Sequence, residues 1–153
     1  MSQAITPFLW FDGKAEEAMN YYCSAFKDSE KLFVHRMGAE GEIVICGFRV
    51  NGLEFQALDG GPMYQMTPGT SFMVNCEDQA EIDHLWSRLS DGGTEMQCGW
   101  LTDKFGVTWQ IIPSCLGRLM GDPDREKAGR VQAAMMKMVK FDIQGLQDAY
   151  EGK

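Results

Sequence analysis

The chain has 153 residues, of which 44% are hydrophobic, so it is long enough for one compact domain with a substantial core. Its formal net charge of −8 argues against binding to nucleic acid, whose phosphates require a basic surface. No apolar run approaches the roughly 18 residues that a membrane-spanning helix needs, and the start of the chain lacks signal-peptide features. These properties predict a cytoplasmic protein that binds neither nucleic acid nor membrane.

Cysteine usage points to the same compartment. The five cysteines are odd in number and widely spaced, without a C-x-x-C pair, and are Cys23, Cys46, Cys76, Cys98 and Cys115. A disulfide framework or a zinc knuckle requires paired, closer spacing. We therefore expect reduced and mostly buried thiols, and Cys98 has no neighbouring histidine that would make it a nucleophile.

The first half of the chain predicts a strand, a helix and three further strands. An apolar run at 5–11 predicts the first strand, and apolar residues at helical spacing across 15–26 predict an amphipathic helix. Further strands are predicted at 31–37, 43–50 and 53–58. Asn51-Gly52 is a strong hairpin signal between the last two.

The second half repeats this order and then becomes helical. Asp78-x-x-Glu81 is typical of a capping box, and it precedes a helical pattern that Gly92-Gly93 ends. The strands of this half are predicted at 70–76, 94–99 and 107–112, the last one after a tight turn at 103–106. The tail predicts a short turn at 116–120, a helix after Asp122-Pro123-Asp124 and a last helix capped by Asp142.

An internal repeat relates the two halves. The segments 51–58 and 105–112 both contain a glycine turn, an aromatic residue and then a glutamine at identical spacing. This predicts an α+β fold of two βαβββ modules, about 1–62 and 66–115, that form a cupped mixed β-sheet. Upstream of these segments, the repeat aligns Phe8 with Phe72. Residues 116–153 are expected to form a C-terminal helical extension, packed on the same domain or on its dimer partner.

The repeat also predicts a site. Gln56 and Gln110 occupy equivalent places and are expected to face each other across one cavity, whereas Phe55 and Trp109 point into the core. Strand alternation places Thr108 on the same face as Gln110.

Four segments carry a family resemblance: 6–11, 76–79, 98–100 and the motif at 103–111. Together they resemble the PhnB-like branch of the glyoxalase/bleomycin-resistance (vicinal oxygen chelate) superfamily, many of whose members are called 3-demethylubiquinone-9 3-methyltransferase. The resemblance implies paired βαβββ modules, commonly in a homodimer that can exchange modules.

Enzymes of the wider superfamily bind one divalent metal through His and Glu. The corresponding positions here are Gln56, Gln110, Ser71 and Pro7 or its neighbour Thr6, and none carries the usual ligand. Neutral amides alone offset little of the dehydration of a divalent ion, so we predict no metal and no cofactor. Methyl transfer on a Rossmann-type sheet would need a Gly-rich strand-to-helix turn, which the sequence lacks.

We predict a ligand pocket formed by Gln56, Gln110, Ser71, Pro7, Glu54 and Thr108. Opposed amides favour a protein that binds a small neutral molecule. The alternative is a glyoxalase- or dioxygenase-like enzyme acting on a small polar metabolite that Gln56, Gln110 and Ser71 orient. Glu54 would serve as its base if buried, and the other interpretation, which we favour, is a solvated carboxylate at the rim. A third reading is a structural dimer whose cup is filled by Phe11, Met73 and Ile112.

Overall fold

The computed structural model describes residues 3–153, and the chain divides into two compact units between Met66 and Thr67. The first unit contains, in order, β1 (Phe8–Phe11), α1 (Ala15–Ala25), β2 (Ser29–Met37), β3 (Ile43–Val50) and β4 (Leu53–Asp59). The second contains β5 (Phe72–Cys76), α2 (Gln79–Ser90), β6 (Thr94–Glu95), β7 (Trp100–Thr102), β8 (Thr108–Pro113), α3 (Leu116–Met120), α4 (Arg125–Met135) and α5 (Ile143–Glu151).

Each unit has one four-stranded mixed sheet, with strand orders β1-β4-β3-β2 and β5-β8-β7-β6. In both sheets the first strand runs parallel to the last, and the remaining neighbours are antiparallel. The predicted α+β fold with two βαβββ copies is therefore confirmed.

In the first unit, α1 covers one face of the sheet. Its apolar stripe is buried except for the half-buried Cys23, and the Tyr22 ring packs 5.7 Å from the ring of Phe48. Phe48 in turn stacks on Phe55 with ring centroids 5.3 Å apart. The helix begins where Asp59 Oδ1 accepts a hydrogen bond from the Ala15 backbone N–H at 2.8 Å, so the end of β4 fixes the start of α1.

The helix α2 begins at the predicted cap. Asp78 Oδ1 accepts from the Glu81 N–H at 2.8 Å, which satisfies one of the open donors of the first turn. The reciprocal bond of the box is displaced by one residue, because the Glu81 carboxylate accepts from the N–H of Glu77. Trp109 lies on the covered face of this sheet at 2% exposure, in the core position that the repeat predicts.

The strand register refines the internal repeat. Gln56 pairs with Phe8 and Gln110 pairs with Met73, so Phe8 corresponds to Met73 and not to Phe72. For the helices, the alignment of the internal repeat that the sequence predicts still holds, because the buried Tyr22 of α1 corresponds to the buried Trp86 of α2. The connection from strand to helix is 12–14 in the first unit and 77–78 in the second, and this one-residue difference explains the shift.

Two local predictions for the second unit are wrong. The strand predicted at 94–99 stops after Glu95, because Cys98 and Gly99 have positive φ angles of 58° and 78° that do not fit a strand. Asp142 is the N-cap residue of α5, but its side chain makes no capping hydrogen bond. The Ile143 N–H instead donates to Gln79 Oε1 at 2.8 Å.

The predicted tail helices are present as α3, α4 and α5, and they pack within the second unit. Asp124 caps α4 by accepting from two backbone N–H groups of its first turn. The side chain of Arg130 donates to the backbone carbonyls of Ala149 and Tyr150, which ties α4 to the end of α5. Within residues 3–153, no helix combines the length and the hydrophobicity that a bilayer crossing demands.

All five thiols are free, and two of them are strongly protected. Burial raises the pKa of Cys46 to about 11 and that of Cys76 to about 12. We expect iodoacetamide at pH 8 to leave both unmodified in the native protein while the half-buried Cys23, Cys98 and Cys115 react first, as peptide mass spectrometry would show. Labelling of Cys46 at the rate of Cys115 would contradict the buried position.

The same shifts set a pH dependence. Both thiols ionise near pH 9 in the unfolded chain but only near 11 and 12 in the folded one. Their contribution to stability is therefore complete below pH 9 and is lost as the pH rises through the folded values. Urea unfolding should show a free energy that falls above pH 9, and less steeply in Cys46→Ala. Equal slopes in both proteins would contradict this assignment.

Candidate functional site

The face of the first sheet opposite α1 carries Gln56 in a row of four registered residues. Phe8 of β1 pairs with Gln56 of β4, Gln56 pairs with Gly47 of β3, and Gly47 pairs with Phe33 of β2. Residues paired in this way share one face of the sheet. The row therefore reads aromatic, amide, glycine, aromatic.

Gly47 makes room for an aromatic ring beside the amide. A Cβ at this position would lie 2.3 Å from the ring of Phe33, so that ring lies over the glycine, in the place next to Gln56. The same ring stacks on His35 at 5.0 Å, while Phe8 on the other side of Gln56 is 51% exposed. The half-buried amide of Gln56 is thus flanked by two aromatic side chains.

The Gln56 residue is held through its backbone and not through its side chain. Within the described range 3–153, its side chain makes no hydrogen bond to another protein group. Its backbone is fixed, because the Gln56 N–H donates to the carbonyl of Pro7 at 2.9 Å. Pro7 therefore contributes to the site through its carbonyl, which holds β4 against the start of β1.

Glu54 lies on the same strand but is engaged in an ion pair. Its carboxylate accepts from the Arg49 guanidinium at 3.0 Å, and Arg49 also pairs with Glu30. The hydrogen bond to Glu54 is the main reason that the pKa of Arg49 lies above its ordinary value. The Glu54 carboxylate is thus already engaged by Arg49, which fits a supporting role.

We expect Glu54→Gln to leave small-molecule binding at this face unchanged within about twofold, because exposed ion pairs contribute little. Calorimetric titration of the variant against the parent protein checks this. Arg49→Gln is the matched control, since it removes the other partner of the same pair. A loss of more than tenfold in Glu54→Gln alone would assign the carboxylate a direct role.

In the second unit, Gln110 occupies the corresponding position. It pairs with Met73 of β5 on one side and with Trp100 of β7 on the other, on the face opposite α2. Its Nε2 donates a hydrogen bond to Ser71 Oγ at 2.9 Å. This bond orients the amide group and leaves the side-chain oxygen of Gln110 outside the contact with Ser71. Both units therefore place a glutamine between an exposed apolar side chain and an aromatic one.

Thr108 lies on the Gln110 face but is only 1% exposed. Its hydroxyl is 3.3 Å from the hydroxyl of Thr102 on β7, so it bridges neighbouring strands. Of the residues predicted for the pocket, the structure groups Pro7, Glu54 and Gln56 in the first unit. It groups Ser71, Thr108 and Gln110 in the second.

Asp103 explains the strongest sequence motif. Its Oδ1 accepts from the backbone N–H groups of Phe105 and Val107 at 2.8 and 3.0 Å, and its Oδ2 accepts from Trp109 Nε1 at 2.9 Å. The carboxylate is 3% exposed and ties the turn to the first buried residues of β8. It thereby fixes the strand that carries Gln110, which is a positioning role that sequence reasoning missed.

Sequence reasoning also missed Phe33 with Gly47, and Trp100. A glycine in the interior of a predicted strand signals a close approach, and Gly47 carried that signal. The prediction that Phe11 fills the cup is wrong, because Phe11 is 4% exposed and shares the helix-covered face of its sheet with Leu9. Met73 is 57% exposed, so it does not lie buried within its own unit.

The donor set does not fit the divalent metal of the wider superfamily. The positions offer two amides, the Ser71 hydroxyl and either Pro7, which has no side-chain donor, or its neighbour Thr6, which adds one neutral hydroxyl. Within residues 3–153, no group of three His, Cys, Asp or Glu side chains is arranged to hold a metal ion. His35 and His84 lie on β2 and α2, outside these positions. Dehydration of a divalent ion needs charged or imidazole donors, so these residues do not suit it.

A separate recess of about 460 Å³ opens in the first unit beside the N-terminal half of α1. Its polar groups already serve the fold, since Asp59 caps α1 and Glu16 pairs with Arg36. We do not assign it to the candidate site.

Comparison with known proteins identifies the class and then the family. The structure resembles glyoxalase/bleomycin-resistance (vicinal oxygen chelate) folds, including a variant of the fosfomycin resistance protein FosX from Listeria monocytogenes crystallised with Mn(II) and a dihydroxypropylphosphonic acid. That match has a TM-score of 0.52 and 13% identity, and covers 74% of this chain and 93% of the other. The family model for 3-demethylubiquinone-9 3-methyltransferase matches residues 3–112, and the chain belongs to this PhnB-like family.

Two further solved structures are similar, the first supporting the family and the second the fold alone. A PhnB protein from Bacillus cereus is 38% identical with a TM-score of 0.68, over 72% of this chain and 99% of that one. A protein from Pseudomonas aeruginosa is 24% identical with a TM-score of 0.60, over 71% of this chain and 95% of that one. The comparison with curated proteins gives no match.

Proposed function

We propose that the chain binds a small, neutral, planar molecule through the amides of Gln56 and Gln110 and that it does so without a bound metal. The observation that carries the proposal is the Gln56 amide, which has no protein partner within residues 3–153 and lies between Phe8 and the Phe33 ring. An amide offers one acceptor and two donors, and flat apolar walls favour a flat ligand.

The binding proposal is preferred to the glyoxalase- or dioxygenase-like alternative because none of the residues predicted for the pocket offers a free base. Glu54 is held by Arg49, and the hydroxyls of Ser71 and Thr108 are bonded within the second unit. Proton abstraction requires a positioned group with a suitable pKa.

Methyl transfer from S-adenosylmethionine is also not favoured, although the family carries that name. The strand-to-helix connection 12–14 contains a single glycine, Gly13, and the connection 77–78 contains none. Neither resembles the Gly-rich turn that a Rossmann-type cofactor site needs. The family name therefore does not establish this activity for the chain.

Benzamide is a suitable probe, because it is flat and neutral and carries an amide complementary to glutamine. For a ligand of this size we expect a Kd on the order of 1–10 mM by calorimetry. Benzoate tests the need for neutrality, and cyclohexanecarboxamide tests the need for a flat ring. Both should bind more weakly.

Gln56→Leu and Gln110→Leu should each weaken benzamide binding about fivefold, which corresponds to the loss of one hydrogen-bonded group. Gln132→Leu is the matched control, because this exposed glutamine lies on α4 and belongs to neither sheet. Benzamide that binds equally to all three variants, or not at all to the parent protein, would overturn the proposal. The stoichiometry separates one shared ligand from one ligand per unit.

We also propose that the family domain spans 1–115 with modules at about 1–62 and 66–115, that 116–153 is an extension, and that the chain acts in the cytoplasm as a homodimer. Support comes from the resemblance to the PhnB-like family and from the family match over 3–112. Sedimentation velocity at micromolar concentration should give twice the mass of 17.2 kDa. A monomer at that concentration would contradict the dimer.

A further inference from the structure

The C-terminal tail lies outside the part of the chain that matches the family. The family model ends at residue 112, and the chain covers 99% of the Bacillus cereus protein with only 72% of its own length. Residues 113–153 include α3, α4 and α5, and they make specific contacts within the second unit. Two of those contacts are made to consecutive backbone positions next to the candidate site, Cys98 and Gly99.

The tail binds the backbone at Cys98 and Gly99. The Cys98 N–H donates to the Met138 carbonyl at 2.9 Å, and the Gly99 N–H donates to the Val139 carbonyl at 2.8 Å. The ring of Phe141, which is 1% exposed, packs so closely on Gly99 that a Cβ there would lie 2.5 Å from it. The tail therefore satisfies two consecutive donors and fills the space that the glycine leaves.

The tail is itself held in place on both sides of Phe141. Gln79 of α2 donates to the Phe141 carbonyl at 2.9 Å and accepts from the Ile143 N–H at 2.8 Å. Lys140 pairs with Asp83 on the same helix at 2.8 Å. These bonds anchor the segment 138–143 to α2, so it can hold Cys98 and Gly99 against a fixed support.

The held backbone leads directly to the candidate site. Cys98 and Gly99 both adopt left-handed conformations, which are unfavourable for cysteine unless the surroundings impose them. The next residue is Trp100, which starts β7 and pairs with Gln110. The Gly99 carbonyl also accepts from the Ile111 N–H at 2.7 Å, one residue after Gln110.

We infer that the C-terminal extension is a positioning element for the ligand face of the second unit. The carbonyls of Met138 and Val139 and the ring of Phe141 hold the left-handed pair Cys98-Gly99 and thereby set Trp100 beside Gln110. The consequence for ligand affinity rests on the proposed binding function. The consequence for Trp100 and Cys98 does not.

The test compares Phe141→Ala with Leu146→Ala. Leu146 of α5 is as fully buried as Phe141 but is not among the groups that bond Cys98 or Gly99. Three readouts are followed: the NMR signal of the Trp100 indole N–H, assigned with Trp100→Phe; the alkylation rate of Cys98; and the benzamide-induced shifts of the Gln56 and Gln110 side-chain amides. Cys98 is a suitable reporter because its thiol donates to the Met135 carbonyl of the tail at 3.6 Å.

In Phe141→Ala we expect the NMR signal of Trp100 to shift and Cys98 to be alkylated about tenfold faster. Both changes follow from local opening of the contact between the tail and Cys98-Gly99. Benzamide affinity followed at the Gln110 side-chain amide should fall about fivefold. Leu146→Ala should change each readout less than about twofold. Phe141→Leu, which keeps apolar volume, serves if the alanine variant does not fold, and it should show the same changes at smaller size.

An unchanged Trp100 signal and Cys98 rate in both Phe141 variants would overturn the inference. Equal changes in Leu146→Ala would also overturn it, since they would show general loosening of the unit. If Trp100 and Cys98 respond as expected but benzamide binds nowhere in the parent protein, the positioning role is supported and the proposed function fails.

Discussion

Replacement of Asp103 by alanine is expected to lower the free energy of unfolding by about 3 kcal/mol, because it leaves three N–H donors without their acceptor. These are the Phe105 and Val107 amides and the indole of Trp109, each within 3.0 Å of the carboxylate. Asp103 is 3% exposed, so water does not readily replace it. Urea unfolding followed by tryptophan fluorescence and circular dichroism measures the loss.

Two controls separate the hydrogen bonds from the charge. Asp103→Asn keeps one acceptor oxygen and should lose about half as much stability, whereas Trp109→Phe removes the indole donor together with part of the buried ring volume. If the Asp103 and Trp109 side chains interact as the structure has them, the double variant should lose less than the sum of the single variants. A loss below about 1 kcal/mol in Asp103→Ala would show that the carboxylate does not organise the turn.

Gly99→Ala should be destabilising for two separable reasons. The position has a φ of +78°, which costs an alanine about 1 kcal/mol. The added methyl group would also lie 2.5 Å from the Phe141 ring and 2.7 Å from the Ile111 carbonyl oxygen, and overpacking of this kind costs a further 1–3 kcal/mol or so. We therefore expect a total loss of about 2–4 kcal/mol by urea unfolding.

Gly13→Ala is the matched control for the backbone contribution. Gly13 has a φ of +72°, and a Cβ there would meet nothing within 4 Å. It should lose only about 1 kcal/mol. Equal losses of unfolding free energy in Gly13→Ala and Gly99→Ala would mean that the Phe141 ring does not pack on Gly99. The tail would then make no close steric contact with this backbone.

The architecture was predictable because each half repeats one pattern of hydrophobic periodicity and turns. β3 begins and ends at the predicted residues, and the Asn51-Gly52 turn has the positive φ angles that the dipeptide favours. The registers of the sheets were less accessible, since a difference of one residue before α2 is invisible without coordinates. This difference changes the residue of the second unit that corresponds to Phe8 from Phe72 to Met73.

The site was predictable only in part. The glutamines were found because they repeat, but their aromatic neighbours come from strands distant in sequence, as Phe33 does. Tertiary contacts also override local patterns at Cys98 and Gly99, where the tail replaces a longer strand pairing. No local spacing predicts that a segment at 138–141 binds there, because such a contact depends on the path of the chain through α4.

The central proposal is that the amides of Gln56 and Gln110 bind the ligand and that no metal ion takes part. NMR of the Gln56 and Gln110 side-chain amides during separate titrations with benzamide and zinc tests it most directly. The account predicts saturable shifts of both amides with benzamide and no change with equimolar zinc. Shifts with zinc at one equivalent, together with none from benzamide, would contradict it.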